Sequence, residues 1–481
     1  MSQLLPVFRA ARLVGVTRGT MQKKIHDGEL TTFEGMVALE DLLKLFPQTE
    51  VGYDKEYERI QNIKSNAFAK RVTERLLPDV TVLARRVAEL GRDLAASRVD
   101  LARDRAILDE IKSRLGILCQ TPTKELSEDI LHWLEKVMHA SSFSDQISHE
   151  LLAQDTVLRI MSAHITIQPS HHEYWLDGNE TLLDAGVRSG LALNYGCTSG
   201  NCGLCKARVI NGEVKKIQPH DYVLSEAEKN MNYILMCSCT AVTDTILEAL
   251  VAEDENDIPL QEIITKIKSV DTSHPETLLL HLQTPRTQRL RFLAGQSVML
   301  SMKNGSNADF HIASCPCDDR NLIFHISRQH QTPFIEHLLA NSRKGDEITV
   351  IGPHGDFLFE EESTRAPIFL AYGSGFAPIK SLIEHAMALE VAAAMHIYWA
   401  VPDKTALYAH NLCRSWADAL EDFYYHPMVN EDPLEKILAA HKTIDAFDIY
   451  LAGPEANVNA ATERLLAAGL PEKQLTSVNV T

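Results

Sequence analysis

Apolar positions along this chain change their period several times, and each change marks a different kind of element. Between Leu76 and Leu118 they recur in alternating steps of four and three: Leu76, Val80, Leu83, Val87, Leu90, Leu94, Leu101, Leu108, Ile111, Leu115 and Leu118, with lapses at Ser97 and Asp104. Such a repeat over about six heptads predicts a coiled coil whose seam wants a second helix. Pro78 falls in the first turn, where its missing N–H costs nothing. Thr121-Pro122 breaks the helix. Residues 123–160 read as further helix, with Leu126, Ile130, Leu131, Leu134, Val137 and Met138 on one face. From Ala163 to Gln168 the period shortens to that of a strand. Leu182 to Ser189 returns to helix, and Lys206 to Val214 reads as a hairpin turning at Asn211-Gly212. After Asp257-Ile258-Pro259 alternating strands dominate, followed by buried apolar runs at 368–371, 395–401 and 448–452 that suit a parallel sheet.

Composition sharpens this picture in three ways. A length of 481 residues with 45% apolar content supports several cores, about three to five domains. No apolar run approaches the length that spans a bilayer, so no membrane insertion is expected. The first residues lack a charged n-region, a long apolar stretch and a cleavage site, which makes a cytoplasmic protein the expectation. The nine cysteines show no disulfide framework. The net charge of −18 is uneven: residues 1–125 carry 21 basic and 18 acidic side chains, against 26 and 47 in the remainder. The front could sit near an anionic partner, while the acidic back would repel nucleic acid and could dock a basic redox partner.

In residues 6–47 a short helix, Arg9 to Leu13, stops at Gly15; Thr17 is a natural N-cap for a second helix, Arg18 to His26, which Gly28 ends. This stretch resembles the helix-turn-helix of MerR and excisionase-type DNA-binding domains. The resemblance implies that Arg18, Thr20, Gln22 and Lys23 face a groove and its phosphates. A protein-docking domain of the same shape is the competing reading. A DNA-binding module followed by a dimerising coil is the layout of MerR-like regulators, so a homo-oligomer, a dimer through the coil, is expected, and nucleic acid is a candidate partner.

The richest chemistry lies in Asn194-Tyr195-Gly196-Cys197-Thr198-Ser199-Gly200-Asn201-Cys202-Gly203-Leu204-Cys205, with Cys237 downstream. The spacing C-x4-C-x2-C with a distant fourth cysteine is the plant-type pattern of a [2Fe–2S] cluster. Each iron needs two thiolates; one loop supplies three, and a separate segment closes the cage. Gly196, Gly200 and Gly203 leave room for backbone N–H groups to approach the sulfides. A zinc knuckle would pair C-x2-C with a second such pair, which is missing. Cys239 competes for the fourth position but needs another loop register, so it reads as a buried neighbour.

From about residue 260 to 470 the chain resembles the ferredoxin–NADP reductase family in its fused form, as in the benzoate and phenol oxygenase reductases. The landmarks are Phe292-Leu-Ala-Gly-Gln296, His311-Ile312-Ala313-Ser314, Gly352-Pro353-His354-Gly355-Asp356-Phe357, Ala371-Tyr-Gly373-Ser374-Gly375-Phe-Ala-Pro378, Tyr398-Trp399, Leu407-Tyr408 and Tyr450-Leu-Ala452-Gly453-Pro454. The resemblance implies FAD against Phe310, His311, Ile312 and Ser314. It implies a nicotinamide cofactor against Gly373, Ser374, Gly375, Pro378, Gly453 and Pro454, where a bare turn followed by a helix suits a pyrophosphate or ribose. The chain also departs from the family. Where the family has Arg-x-Tyr-Ser, this sequence has Ala308-Asp309-Phe310-His311. Its second phosphate contact aligns with Gln331-Thr332 and Ile335, and its nicotinamide cysteine with Ala452. Ser477–Thr481 lacks the usual terminal aromatic, and Lys303 or Arg328 are the candidate replacement cations. Ala400-Val401-Pro402 has no arginine for a 2′-phosphate, which tilts NADH versus NADPH toward NADH.

The expected architecture is multidomain. It comprises an α-helical helix-turn-helix (1–50), a coiled-coil helix (51–120), a helical linker (121–160), an α+β plant-type [2Fe–2S] ferredoxin domain (161–256), a six-stranded antiparallel flavin-type β-barrel (257–362) and an α/β parallel-sheet nucleotide-binding domain (363–481). The cluster ligands are Cys197, Cys202, Cys205 and Cys237, and no catalytic side chain is assigned. Two functions follow: an NAD(P)H-dependent oxidoreductase passing electrons through FAD and the cluster to an acceptor protein such as an oxygenase, or a redox-responsive DNA-binding regulator with a degenerate reductase module. No hydrolytic triad or Walker loop stands out, and His171-His172 reads as a surface pair.

Overall fold

The computed structural model describes residues 4–33, 36–46, 78–118, 159–329, 332–392, 394–420 and 422–480. Leu76 and nearly all of the helical linker expected over 121–160 lie outside these residues.

The front module is not wholly helical, which corrects the expectation. Strands β1 (Leu4–Pro6), β2 (Thr32–Phe33) and β3 (Met36–Ala38) form a small antiparallel sheet in the order β1-β3-β2 beside helices α1 (Val7–Leu13), α2 (Arg18–His26) and α3 (Leu39–Leu45). Leu5 and Val37 pair across that sheet and bury their side chains with Ala10, Leu13, Met21 and Leu42. Two-residue and three-residue strands carry too short a pattern to be seen in sequence. Thr17 caps α2 as anticipated, its hydroxyl accepting the Thr20 N–H at 3.1 Å.

Helix α4 (Val80–Leu118) begins docked on the cluster domain. There Val82 and Arg86 are buried, and the Arg86 guanidinium donates to the carbonyls of Val242, Ala241 and Ile160 at 2.8–3.0 Å. The opposite stripe, Val80, Val87, Leu94 and Leu101, is 52–79% exposed at a spacing of seven residues.

The next domain is a five-stranded sheet in the order β5-β4-β10-β6-β8, from β4 (Ser162–Gln168), β5 (Glu173–Asp177), β6 (Lys206–Asn211), β8 (Tyr233–Leu235) and β10 (Thr245–Glu248). Helix α5 (Leu182–Arg188) packs on it, with Thr181 capping its first turn. The hairpin expected at Asn211-Gly212 is not formed. Strand β6 already has β10 and β8 on its two edges, so the chain leaves the sheet and β7 (Val214–Lys216) pairs with β9 (Cys239–Ala241) instead.

Six antiparallel strands follow in the order β14-β13-β16-β11-β12-β15: β11 (Gln261–Asp271), β12 (Thr277–Gln283), β13 (Ser297–Ser301), β14 (Asn307–His311), β15 (Asn321–Ser327) and β16 (Glu347–His354). The end strands β14 and β15 do not pair with each other, so the sheet is a half-barrel rather than the closed barrel expected. Just after β14, Cys315 and Cys317 are joined as a disulfide, a local pairing two residues apart where the sequence showed no disulfide framework. The last domain is a parallel sheet in the order β19-β18-β17-β20-β21, from β17 (Ala366–Tyr372), β18 (Met395–Val401), β19 (Phe423–Val429), β20 (Phe447–Gly453) and β21 (Leu475–Asn479). Separate apolar clusters cover its two faces, as a parallel sheet needs. Among the described residues no helix is long and apolar enough to cross a membrane.

Candidate functional site

The cluster loop leaves α5 and runs over the end of the sheet with Leu191, Leu193 and Tyr195 anchored in the core. Cys197, Cys205 and Cys237 are buried, whereas Cys202 is exposed. Cys237 sits in a one-turn 3-10 helix, Met236–Ser238, that follows β8; the Met236 N–H donates to the Cys205 carbonyl at 3.0 Å and fixes the two segments together. The thiol of Cys205 donates to the sulfur of Cys237 at 3.3 Å, and the thiol of Cys202 donates likewise to the sulfur of Cys197. Among the described residues no three His, Cys, Asp or Glu side chains converge on one ion. Two sulfur pairs are what a two-iron cluster asks for, one pair per iron. Cys239 is buried but outside both pairs, and burial pushes its thiol up to about 11.

The electrostatics suit an anionic cluster. Burial opposes ionisation of Cys197, yet the N–H groups of Cys202, Ser199 and Asn201 point at its sulfur and bring the thiol down to about 6. The Cys205 thiol, then burial in opposition, then Ser238 and the Gly200 N–H act on Cys237, which falls to about 7. Hydrogen bonding to Cys237, followed by burial, pushes Cys205 up. Gly200 and Gly203 have φ of +79° and +75°, and a Cβ there would lie 2.5 Å from His220 Cβ and 2.2 Å from the Tyr222 ring. Loop 218–224 therefore closes over the turn only because both positions are bare. Gly196 is held less tightly, against the flexible end of Leu204. The donor set and its N–H cradle fit a [2Fe–2S] cluster.

The flavin-type residues lie along one edge of the barrel, but they do different things. Phe310 is half-buried with its ring 5.5 Å from that of Phe334. His311 uses Nδ1 against the Gly295 carbonyl at 3.0 Å, faces the backbone of Asn479, and is held below its ordinary pKa by burial. Ile312 is in the barrel core. Ser314 is buried at the joint between domains: its hydroxyl accepts the Ile323 N–H, and its carbonyl accepts the Ser381 hydroxyl at 2.8 Å. The replacement cations are committed elsewhere. Lys303 pairs with Glu347 at 2.9 Å, and Arg328 donates to the His274 carbonyl at 3.4 Å. Asp309 is not left bare, because His354 lies 3.3 Å away. Phe310 thus offers a flat ring surface, with Ala308 and Asp309 rather than a cation beside it in sequence.

Gly373–Gly375 forms a one-turn 3-10 helix between β17 and helix α6 (Phe376–Leu389), which buries Pro378. A Cβ on Gly375 would stand 2.2 Å from the Ala452 carbonyl oxygen, so this turn meets the end of β20 through bare backbone. A Cβ on Gly453 would stand 2.6 Å from Tyr372 Cβ, and Pro454 starts helix α9 (Glu455–Ala467), after α7 (His410–Ala419) and α8 (Pro433–Ala440). The Trp399 indole donates to the Gly373 carbonyl at 3.0 Å and stacks on Phe376 at 4.0 Å; Tyr408 bonds His325 of the barrel at 3.0 Å.

Sequence reasoning missed Lys380, Ser381 and Glu384. Lys380 donates to the Ala313 carbonyl at 3.0 Å and pairs with Glu384 at 2.6 Å, and the Cys315 N–H donates to Glu384. These three hold the flavin-type strand against the nicotinamide domain. Their signal was legible as a polar stripe at steps of three and four in an otherwise apolar helix. His172 is not a simple surface residue either, since Glu361 lies 3.5 Å from it and 2.9 Å from His385. Opposed by burial, these two histidines still hold the Glu361 carboxyl down at about 2.

Residues 165–242 match the family model of the 2Fe-2S iron-sulfur cluster binding domain, and residues 369–463 match that of the oxidoreductase NAD-binding domain. This chain is an NAD(P)H-dependent oxidoreductase with a [2Fe–2S] outlet. Among curated proteins it is similar to the CDP-6-deoxy-L-threo-D-glycero-4-hexulose-3-dehydrase reductase of Yersinia pestis, 28% identical over 327 residues, 66% of this chain and 98% of the relative. It is similar to the reductase component of propane 2-monooxygenase from Mycolicibacterium smegmatis, 26% identical over 65% of this chain and 96% of the relative. The phenol hydroxylase P5 protein of Acinetobacter pittii is 26% identical over 66% and 93%. Among solved structures, a ferredoxin reductase of carbazole 1,9a-dioxygenase overlays with a TM-score of 0.41 at 23% identity, covering 66% of this chain and 97% of that one.

Proposed function

We propose that this chain is the reductase component of a two-protein system, delivering electrons from NADH to a partner acceptor of the oxygenase or sugar-deoxygenating kind. The observation that carries this is the direct seat of the cluster loop on the barrel: the Arg289 N–H donates to the Gly196 carbonyl, next to ligand Cys197, at 2.9 Å. FAD is the third cofactor, and it supplies the conversion of a two-electron hydride into single electrons. Phe310 would lie under its ring system, with His311 beside it, neutral and oriented by Gly295. Gly375 and Gly453 would let the nicotinamide approach where family members carry a cysteine and this chain has Ala452. The phosphate grip differs from the family because the cation beside Phe310 is replaced by Ala308 and Asp309.

The front module is a docking module in this reading. The Gly19 N–H, at the start of α2, donates to the Glu390 carbonyl of the nicotinamide domain at 2.9 Å. Arg12 lies over the Trp175 ring at 4.5 Å and pairs with Asp177 at 3.1 Å on the cluster domain. Arg18 and Gln22, two of the residues expected to read DNA, instead line a cavity of about 1450 Å³ shared with both domains. That placement favours protein docking over DNA contact. The exposed seven-residue stripe of α4 supports pairing with a second copy of the same helix.

A visible spectrum of anaerobically purified protein, before and after NADH, tests the assignment. Flavin and cluster bands that both bleach are the expected result. Cluster bands alone, unmoved by FAD and NADH together, would leave the chain without its proposed activity.

A further inference from the structure

We propose that barrel residues 286–291 are the seat that positions the cluster for electron delivery, with Arg291 and Asn194 as the positioning pair. The inference rests on the reductase reading above. Three attachments fall on alternate residues of the cluster loop and bracket the first ligand, Cys197. The Arg291 guanidinium donates to Asn194 Oδ1 at 2.8 Å; the Arg289 N–H donates to the Gly196 carbonyl at 2.9 Å; the Thr198 N–H donates to the Arg286 carbonyl at 3.3 Å. A second arm of Arg291 reaches the Ala192 carbonyl at 3.5 Å.

The seat is itself rigid. The Gln261 amide bonds the Arg291 backbone in both directions, at 2.7 and 3.0 Å, and Gln288 donates to the Glu262 carbonyl at 2.8 Å. Beneath it the buried Arg289 guanidinium donates to the Thr284 hydroxyl at 2.6 Å and lies 3.5 Å from Asp319. That hydroxyl in turn donates to the Asp319 carbonyl at 2.8 Å. Asp319 lies in the turn between Ser314 and β15, so the connection between β12 and β13 is tied to the cluster loop on one side and, through that turn, to the segment following the flavin-type strand on the other. Two sites held by one connection keep a constant separation. A cluster domain tethered only by its linker would not, and loss of register by a fraction of an ångström to an ångström is costly for any positioned transfer. Arginine suits this place because its planar fork reaches two acceptors at once; a lysine keeps the charge and loses one of them.

The test uses the full-length holoprotein and the Arg291→Ala, Arg291→Lys and Asn194→Ala variants. Stopped-flow spectra with NADH separate flavin reduction from cluster bleaching, and deuterium uptake of the peptide spanning 192–198 reads loop attachment independently of turnover. The expected result for Arg291→Ala and Asn194→Ala is unchanged NADH KM and flavin reduction, roughly tenfold slower cluster bleaching, and faster deuterium uptake, with Arg291→Lys in between. Cluster bleaching at the wild-type rate in both truncations overturns the seat alone. Slowed flavin reduction in parallel also overturns it, as a general loss of structure. A wild-type protein whose flavin NADH does not reduce removes the reductase reading, and the seat with it.

Discussion

The cluster loop is seated on the connection between β12 and β13 and the flavin-type residues lie on edge strand β14 of the same sheet, yet the two sites are built on opposite plans. At the cluster, every group the chemistry requires is present: two sulfur pairs, N–H donors aimed at sulfur, and bare glycines where loop 218–224 closes over the turn. At the flavin-type edge a ring surface is present and a cation is not. Phe310 offers that surface, but Ala308 stands where the family resemblance calls for a cation, and Asp309 faces His354. The difference teaches that a metal cage tolerates little substitution, because each missing ligand leaves an open valence. A cofactor held by dispersed contacts tolerates more, because each contact carries only part of the affinity.

The largest break in this comparison is Cys237→Ala. It removes one iron ligand, so the visible and EPR signature of the cluster is expected to vanish, while NADH-driven ferricyanide reduction through the flavin continues. Loss of both activities together would show that the two sites are not separable as described. Next is Ala308→Arg, which restores a cation beside Phe310. One charged hydrogen bond contributes ~1.5–3 kcal/mol, so the FAD Kd, read by fluorescence titration of apoprotein, is expected to fall about ten- to a hundredfold. An unchanged Kd would mean the phosphate lies elsewhere.

The smallest effect sharpens the contrast away from either site. His396, on β18, is held down to about 4 by burial first, then by His441 and His426. Its ordinary value is 6.5, so between those values the unfolded chain takes up a proton that the folded one refuses. Stability is therefore full above 6.5 and declines as pH falls toward 4. The expected loss in Tm across that window is about 2–4 °C, measured by calorimetry, and His396→Phe should flatten it. A wild-type Tm that stays level from pH 6.5 to 4 would remove the effect.

Much of this was legible in the residues alone. The [2Fe–2S] domain could be read because three of its four candidate ligands share one loop, and spacing within a loop is a local property. Helix α2 from Arg18 to His26 with its Thr17 cap could be read for the same reason, as could the apolar strands around 368–371, 395–401 and 448–452. The hairpin at Asn211-Gly212 misled, although the turn signal was sound. A turn signal says that the chain reverses; it does not say which edge is vacant, and β6 had no vacant edge.

The tertiary structure alone decided how the pieces meet. Nothing in the order of residues puts Gly19 against Glu390, Arg12 over Trp175, or Asn194 beside Arg291, which are 97 positions apart. Periodicity and cysteine spacing are set by backbone geometry within a few residues, so sequence by itself determined many of the elements and the candidate cluster loop. Contacts between domains depend on which surfaces come together once each core has formed. Hence the docking of the front module, the joint made by Lys380, Ser381 and Glu384, and the seat under the cluster loop belong to the fold.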